Sequence, residues 1–312
     1  MKVLIIDTMH PSILPLLEGA GYEVHYRPDI TRTEILECVA EYEGLIIRSK
    51  TPIDRSLLAH AVKLRFVARA GAGLDNIDLD YLASHGIALH HASEGNRDAV
   101  AEHAVGMILM LFNKLGQADR QVRSGIWDRE GNRGEELAGK TVGVIGYGNM
   151  GRAFVQRLRG FDVRILAYDK YLSGYGDQWV EEATFKRIQE EVDLLSIHVP
   201  LTDETRNFLT MEVLEGFRKP FYLVNTARGE VVSFDTLNEA LSRNILKGAL
   251  LDVLENERLN ALSNAQRISF KRLTERTNVL FSPHVAGWTS ESYVKINQVL
   301  VEKITGKWGA SG

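Results

Sequence analysis

Cysteine is nearly missing. Cys38 is the one thiol among 312 residues, which excludes an intrachain disulfide framework and any multi-cysteine metal site and fits a reducing compartment. Positive charge is not in excess either. With a net charge of −4 and a pI of about 6.2, no global basic field exists to hold nucleic acid or an anionic membrane; a small anion can still be held by a local arginine cluster. Nor does any apolar run approach the roughly 20 residues of a membrane span. The longest apolar-rich stretch, 99–115, carries Glu102 and His103 and reads as a buried helix. The run after Lys2 is four residues long and is stopped by Asp7, too short for a signal-peptide core. Low-complexity segments and short-period repeats are missing too. What remains is an ordinary globular mix, 45% hydrophobic and 25% charged, so wholesale disorder is excluded. The length suggests two domains, and a soluble, cytoplasmic protein is expected.

Short β-branched runs alternate with helical patterns from the start. Strands are predicted at 2–7, 22–26, 44–48, 65–69 and 86–90, with helical segments at 12–20, 31–41, 54–62 and 78–85. This alternation argues for a parallel sheet with right-handed crossover helices. A long helix is predicted over 97–124, stopped by Gly125 and followed by a polar stretch, 125–140. A second alternation then begins, with strands at 140–146, 163–169, 192–199, 221–226, 246–252 and 278–282 and a last helix at 290–304. The fold class is therefore α/β, with two Rossmann-like, doubly wound parallel-sheet domains in tandem. The final residues, 306–312, read as a frayed tail.

The segment Gly146-Tyr147-Gly148-Asn149-Met150-Gly151 is a GxGxxG in a telling context. A strand precedes it, a helical pattern follows it, and a second strand ends at Asp169, eighteen residues beyond Gly151. That is the layout of a dinucleotide-binding βαβ unit. Gly146 permits the tight turn, Gly148 leaves room for a pyrophosphate, and Gly151 lets the helix pack closely on the strand. Helix N-terminal N–H groups then meet the phosphate charge. Asp169 can accept hydrogen bonds from ribose hydroxyls and would repel a 2′-phosphate, which favours NAD over NADP; Lys170 beside it weakens that preference.

Three later segments place reactive residues at strand ends: Arg228 in LVNTARGEVV, Asp252 and Glu257 in ALLDVLENE, and His284 in VLFSPHVAGWT. Ligands of open α/β sheets bind at the carboxyl ends of strands, so all four could converge. With these residues in view, nearly the whole chain resembles the D-isomer-specific 2-hydroxyacid dehydrogenases. The resemblance is carried by Arg228-Gly229, by Glu257 after Asp252-Val253, and by Pro283-His284 before Gly287-Trp288-Thr289, together with the GxGxxG and Asp169. It implies catalytic roles for Arg228, Glu257 and His284, and coenzyme contacts from Asn149, Met150, Val199, Pro200, Thr205, Thr226 and Ala227, with Asp252 holding the nicotinamide carboxamide. The chemistry is coherent on its own terms. Reduction of a 2-oxo acid needs a hydride, a proton and an anchor for the carboxylate. Arg228 can grip the carboxylate in a planar fork, His284 can give the proton, and Glu257 can orient the imidazole and favour its protonated form. Two features depart from the family pattern. Arg258 stands where a proline is usual, and 258–277 reads as a charged, amphipathic helical insertion that would reshape the rim of the site or pack on a neighbour.

Within the family, the first α/β unit is most similar to the D-3-phosphoglycerate dehydrogenases, in a short form without the serine-binding regulatory domain. That similarity rests on Arg48-Ser49-Lys50-Thr51, on the segment Arg69 to Asp78, and on Gly95-Asn96 with Ala101-Glu102-His103. It implies substrate contacts from Arg48, Ser49, Arg69, Gly71, Ala72 and Gly73. The N–H groups of Gly71 to Gly73 would meet the carboxylate, and Arg48, Lys50 and Arg69 a phosphate. It implies D-3-phosphoglycerate and 3-phosphohydroxypyruvate as the substrate pair, in serine biosynthesis. Alternatives are a hydroxypyruvate, glyoxylate or lactate-type reductase on the same scaffold, or an NAD-sensing, corepressor-like interaction protein. The resemblance further implies a substrate domain of 1–97 plus 287–312, an NAD-binding domain of 98–286 with the active-site cleft between them, and a homodimer built through 98–140, where Ile126 and Trp127 look exposed. No metal, membrane or nucleic-acid partner is expected.

Overall fold

A computed structural model describes residues 1–309; residues 310–312 of the expected tail lie outside the described residues. The chain divides into two compact units, one of Met1–Arg97 together with the chain from Trp288 onward, the other of Asp98–Gly287.

The first unit is a five-stranded parallel sheet. Its elements are β1 (Lys2–Ile5), α1 (Ile13–Gly19), β2 (Glu23–Tyr26), α2 (Arg32–Cys38), β3 (Gly44–Ile47), α3 (Arg55–Leu58), β4 (Phe66–Arg69), α4 (Leu79–Ser84) and β5 (Ala88–His91), in spatial order β2-β1-β3-β4-β5. The strand pattern of period two sorts the side chains. Leu4, Ile6, Leu45, Ile47 and Val67 enter one buried cluster, while Val3, Ile5, Ile46, Phe66 and Ala68 enter another. Burial on both faces is what a parallel sheet between helix layers requires. Side chains start the helices: Thr31 forms a capping box with Glu34, and Asp54 and Asp78 accept from the N–H groups of Leu57 and Tyr81. The helix Ser290–Ile304 belongs to this unit and buries Ile296, Val299, Leu300 and Val301 in the second of these clusters. Its Lys303 ammonium is held by both oxygens of Glu94 and by the His91 carbonyl, at 2.7–2.8 Å.

The second unit begins with α5 (Arg97–Phe112) and α6 (Leu115–Arg123). The single helix expected over 97–124 is therefore two. Lys114 is left-handed, at φ 49°, and the Phe112 carbonyl accepts from Glu135 N–H at 2.9 Å, not from the next helical turn. The 131–135 stretch thus satisfies the end of α5 that a continuous helix would have satisfied internally.

There follow β6 (Thr141–Ile145), α7 (Asn149–Leu158), β7 (Arg164–Tyr168), β8 (Glu181–Glu182), α8 (Phe185–Glu191), β9 (Leu194–Ile197), α9 (Met211–Glu215), β10 (Phe221–Asn225), α10 (Phe234–Ser242), β11 (Leu246–Leu251), α11 (Asn264–Thr274) and β12 (Val279–Phe281); the helix Ser290–Ile304 is α12. The seven strands are parallel, in the order β12-β11-β10-β9-β6-β7-β8. The order reverses between β6 and its neighbours β7 and β9, the point at which open α/β sheets bind ligands.

The 258–277 segment is helical and amphipathic, as expected. It holds the crossover helix α11 between the parallel neighbours β11 and β12, a connection such a pair cannot do without. Its apolar side packs on its own unit: Leu273 is fully buried, and Phe270 meets Phe234 and Phe281. Its charged residues Arg267, Lys271 and Arg272 lie on the solvent face.

Candidate active site

The turn after β6 is shaped by what it lacks. Gly146 has φ +90°, and a Cβ there would lie 2.6 Å from the His198 carbonyl oxygen; one on Gly151 would lie 2.1 Å from the Gly146 carbonyl oxygen. These contacts force glycine at both positions and press α7 against β6. Gly148, the N-cap of α7, would meet nothing within 4 Å, so open space lies above its backbone. Asp169, at the end of β7, receives three backbone N–H groups, from Tyr147 (2.8 Å) on one oxygen and from Tyr171 (2.9 Å) and Leu172 (3.0 Å) on the other. Burial pushes its carboxyl up, but these donors and Arg152 outweigh it and the net direction is down. It is a carboxylate with lone pairs to spare. Lys170 turns to Glu204, at 2.6 Å, which removes its charge from the ribose argument.

The residues fit a dinucleotide. A side-chain-free cradle opens at a helix N-terminus, an anionic acceptor stands at the second strand end, and the buried Thr226 hydroxyl has no partner among the described residues. Thr205 gives its hydroxyl hydrogen to the Pro200 carbonyl, at 2.6 Å, and so shapes its own loop; Val199 is half-buried and Pro200 exposed beside it. Ala227 is buried, its N–H on the Asn225 side chain. His198, which sequence reasoning passed over, lies half-buried beside the turn, with its Nε2 2.8 Å from Ser196 Oγ and its ring 5.1 Å from that of Phe154. Burial lowers its pKa to about 4. The signal available was a histidine closing an otherwise apolar strand.

The catalytic candidates converge at the carboxyl ends of β10, β11 and β12. Arg228 follows β10; its carbonyl accepts from Asn225 Nδ2 at 2.9 Å and its Nη1 donates to the Ala227 carbonyl at 2.7 Å. A Cβ on Gly229 would lie 1.9 Å from the Leu254 carbonyl group, so only glycine lets the Arg228 loop and the segment carrying Glu257 pack this closely. Where the family has proline, Arg258 closes a local turn instead, its N–H on Asn256 Oδ1 at 3.0 Å. Glu257 brings both oxygens to His284 Nδ1, at 2.9 and 3.0 Å, the contact proposed from sequence alone.

His284 itself is left-handed, at φ 54°, a backbone conformation with a cost for any residue other than glycine. Asp252 holds it there. The Asp252 carbonyl accepts from His284 N–H at 2.8 Å, and its carboxylate, 1% exposed, accepts from Val285 N–H and Ala286 N–H at 2.9 Å and from Ser282 Oγ at 2.6 Å. The carboxylate expected to hold a carboxamide thus already has three donors from the loop that carries His284. The hydrogen bond that His284 Nδ1–H donates to Glu257 raises the His284 pKa against the opposing effect of burial. The Glu257 and Asp252 charges add to the rise and the Arg228 charge subtracts from it. Arg228 is therefore close enough to be felt by the imidazole.

The remaining candidates lie in the first unit. The Arg48 guanidinium is 4.3 Å from the Trp288 ring centre and 5.3 Å from that of Tyr293, with Nη1 on the Thr8 carbonyl. Among the described residues it has no carboxylate partner. Ser49 is exposed. Lys50 does not join Arg48: its ammonium donates to the Pro28 and Ile30 carbonyls at 2.6 and 3.0 Å. Arg69 donates to the Ala70 carbonyl at 3.1 Å. The Gly71 N–H, expected to face a carboxylate, is taken by the Arg69 carbonyl at 3.0 Å. The N–H groups of Ala72 and Gly73 have no partner among the described residues. No group of three or more metal-ligating side chains occurs among the described residues, and no helix there is long and apolar enough to cross a membrane.

A family model for the NAD binding domain of the D-isomer specific 2-hydroxyacid dehydrogenases matches residues 105–286, more than half of the chain. The chain belongs to this family. Its cofactor is a nicotinamide dinucleotide, the group for which the βαβ turn is built. Among curated members of the family, the chain is 32% identical to a D-3-phosphoglycerate dehydrogenase of Archaeoglobus fulgidus, over 97% of this chain and 56% of that protein. It is 31% identical to one of Bacillus subtilis, with the same coverages. The chain thus spans just over half the length of these relatives. Among solved structures, a D-lactate dehydrogenase of Aquifex aeolicus complexed with NAD and lactic acid superposes with a TM-score of 0.83 at 25% identity, covering 98% of this chain and 96% of that one. The apo-structure of D-lactate dehydrogenase from Escherichia coli gives 0.76 at 28% identity, with the same coverages.

Proposed function

We propose that the protein is an NAD-dependent oxidoreductase that interconverts a D-2-hydroxy acid and its 2-oxo acid. The observation that carries this reading is the His284–Glu257 pair beside Arg228 at the carboxyl ends of three neighbouring strands. Nicotinamide, when bound, supplies or takes the hydride. The cradle of Gly146, Gly148, Asn149, Met150 and Gly151 would hold the pyrophosphate, Asp169 the ribose, and Val199, Pro200, Thr205, Thr226 and Ala227 the nicotinamide half. With Asp169 anionic and Lys170 paired to Glu204, NAD is preferred to NADP.

Arg228 binds the substrate carboxylate through its planar fork and draws electron density from the oxo group. His284, whose protonated form Glu257 favours, donates its proton to the developing alkoxide. In the oxidation direction the neutral ring takes it back, while Glu257 steadies the imidazolium that forms. Asp252 keeps the imidazole in place throughout.

The preferred substrate pair is D-3-phosphoglycerate and 3-phosphohydroxypyruvate, in serine biosynthesis. Support comes from the similarity to curated phosphoglycerate dehydrogenases and from Arg48, a stacked guanidinium with no carboxylate partner among the described residues, as the phosphate ligand, with Ser49, Arg69, Ala72 and Gly73 as further substrate contacts. A lactate-type or hydroxypyruvate reductase is the second reading, favoured by the diversion of Lys50 to backbone carbonyls. NADH oxidation with 3-phosphohydroxypyruvate, hydroxypyruvate and pyruvate separates the two. A preference for the phosphorylated acid supports the first, equal rates on all three defeat phosphate selectivity, and no rate on any removes the enzymatic reading. We further propose a homodimer through 98–140, where Leu115, Val122, Ile126 and Trp127 are all more than half exposed.

A further inference from the structure

We propose that His103, on α5, is a positioning residue for His284, acting through Ser282 and Asp252. It rests on the dehydrogenase reading only for its effect on turnover. Ser282 Oγ lies 2.6 Å from Asp252 Oδ1 and 2.9 Å from His103 Nε2. A hydroxyl has one hydrogen, and an ionised carboxylate can only accept it. Ser282 therefore donates to Asp252, its oxygen is left to accept, and Nε2 is the protonated nitrogen of His103. The chain of donors runs His103 Nε2–H to Ser282 Oγ–H to Asp252 Oδ1. His103 Nε2 also stands 3.6 Å from that carboxylate oxygen.

The same carboxylate receives Val285 N–H on Oδ1 and Ala286 N–H on Oδ2, the two residues that follow the left-handed His284. A carboxylate free to rotate could not hold both. Ser282 and His103 fix its plane, the plane fixes the loop, and the loop sets the imidazole against Glu257. The charged groups that face His284 are Glu257, Arg228 and Asp252. Asp252 is faced by His103, while Glu102, next to His103 on α5, is drawn off to Arg157 at 3.3 Å. Met107, one turn along α5, closes the other side of Ser282 with its sulfur at 3.7 Å. Groups behind a reacting residue hold it in the narrow range of positions from which it can act, and their loss is felt as misplacement.

The test uses the full chain, with His103→Ala, His103→Gln, Ser282→Ala and the double variant His103→Ala/Ser282→Ala. The glutamine amide can offer an N–H close to the place of Nε2. In the coenzyme-free protein, the His284 imidazole is titrated by NMR, its signal assigned by its loss in His284→Ala. His103→Ala and Ser282→Ala are each expected to lower that pKa by about half a unit or more, while His103→Gln stays near the parent. With the 2-oxo acid that the parent reduces, kcat is expected to fall about tenfold in both alanine variants, with KM for NADH unchanged. The double variant is expected to be no worse than the poorer single one, because the two residues form one chain. A His284 titration in both alanine variants coincident with that of the parent, or effects that add in the double variant, would overturn the proposal. Where His103→Ala fails to fold, Ser282→Ala and His103→Gln carry the comparison. If the parent turns over no 2-oxo acid, the function proposed above fails, and the NMR titration still decides the role of His103.

Discussion

Between His284 and Glu257 both carboxylate oxygens share one ring nitrogen, at 2.9 and 3.0 Å, a contact that shifts the balance towards the imidazolium. Its pKa is raised, so the pair stabilises the folded protein below the ordinary histidine value of 6.5, and that contribution is lost as pH rises through the raised value. For catalysis in the reduction direction, the proton donor is present below the raised pKa, and kcat/KM is expected to fall above it. Glu257→Gln removes the acceptor charge, and the falling limb is expected to move to lower pH; an unmoved limb in a pH–rate profile would assign that limb to another group. His284→Ala is expected to lower kcat/KM by about 10²–10⁴. Arg228→Lys, which keeps the charge and loses the fork, is expected to raise KM for the oxo acid sharply while Kd for NADH, followed by fluorescence, stays unchanged. The grouping of these residues was legible in the sequence from their places after strands and from the family resemblance. The partners of Asp252 were not, because nothing in the letters PHVAG announces that the histidine is left-handed.

Among elements, the strands were the easiest to read. Parallel strands buried on both faces must be apolar and β-branched, and the eleven expected runs all become strands. The missed strand, Glu181–Glu182, has no apolar signal; Arg164 and Arg187 hold its first residue from outside. The break between α5 and α6 escaped as well, since it is fixed by a hydrogen bond from the distant Glu135. The amphipathic character of α11 was legible, its charged residues marking the outer face and Leu273 the inner one. At this scale the turn after β6 makes a sharp prediction. Gly151→Ala would put a methyl 2.1 Å from a carbonyl oxygen, so α7 must move away from β6. The expected result is a stability loss of about 1–3 kcal/mol by chemical denaturation, with NADH binding weakened at least tenfold by fluorescence titration.

For the molecule as a whole, His198 ties stability to pH. Half-buried and neutral, it binds its proton only near pH 4, whereas in the unfolded chain it does so near 6.5. The unfolded state therefore takes up more protons below pH 6.5, and stability falls as pH drops from there towards 4, by up to about 3 kcal/mol. Denaturation midpoints at pH 7, 5 and 4 measure the slope. His198→Asn, which cannot titrate, is expected to flatten it. Assembly is tested with equal directness: Trp127, 79% exposed, changed to Glu is expected to turn a dimer into a monomer by light scattering, and a parent that is already monomeric at micromolar concentration would end the dimer proposal.

The packing of α12 into the first unit carries a consequence for biosynthesis. The apolar face formed by Val3, Ile5, Ile46 and Ala68 is closed by Ile296, Val299, Leu300 and Val301, which follow only near the end of the chain. As the polypeptide leaves the ribosome, the second unit has all of its strands and helices before the first has its last wall. The half that begins first is completed last, and a fragment of residues 1–97 made alone is expected to aggregate until a peptide spanning 288–309 is added.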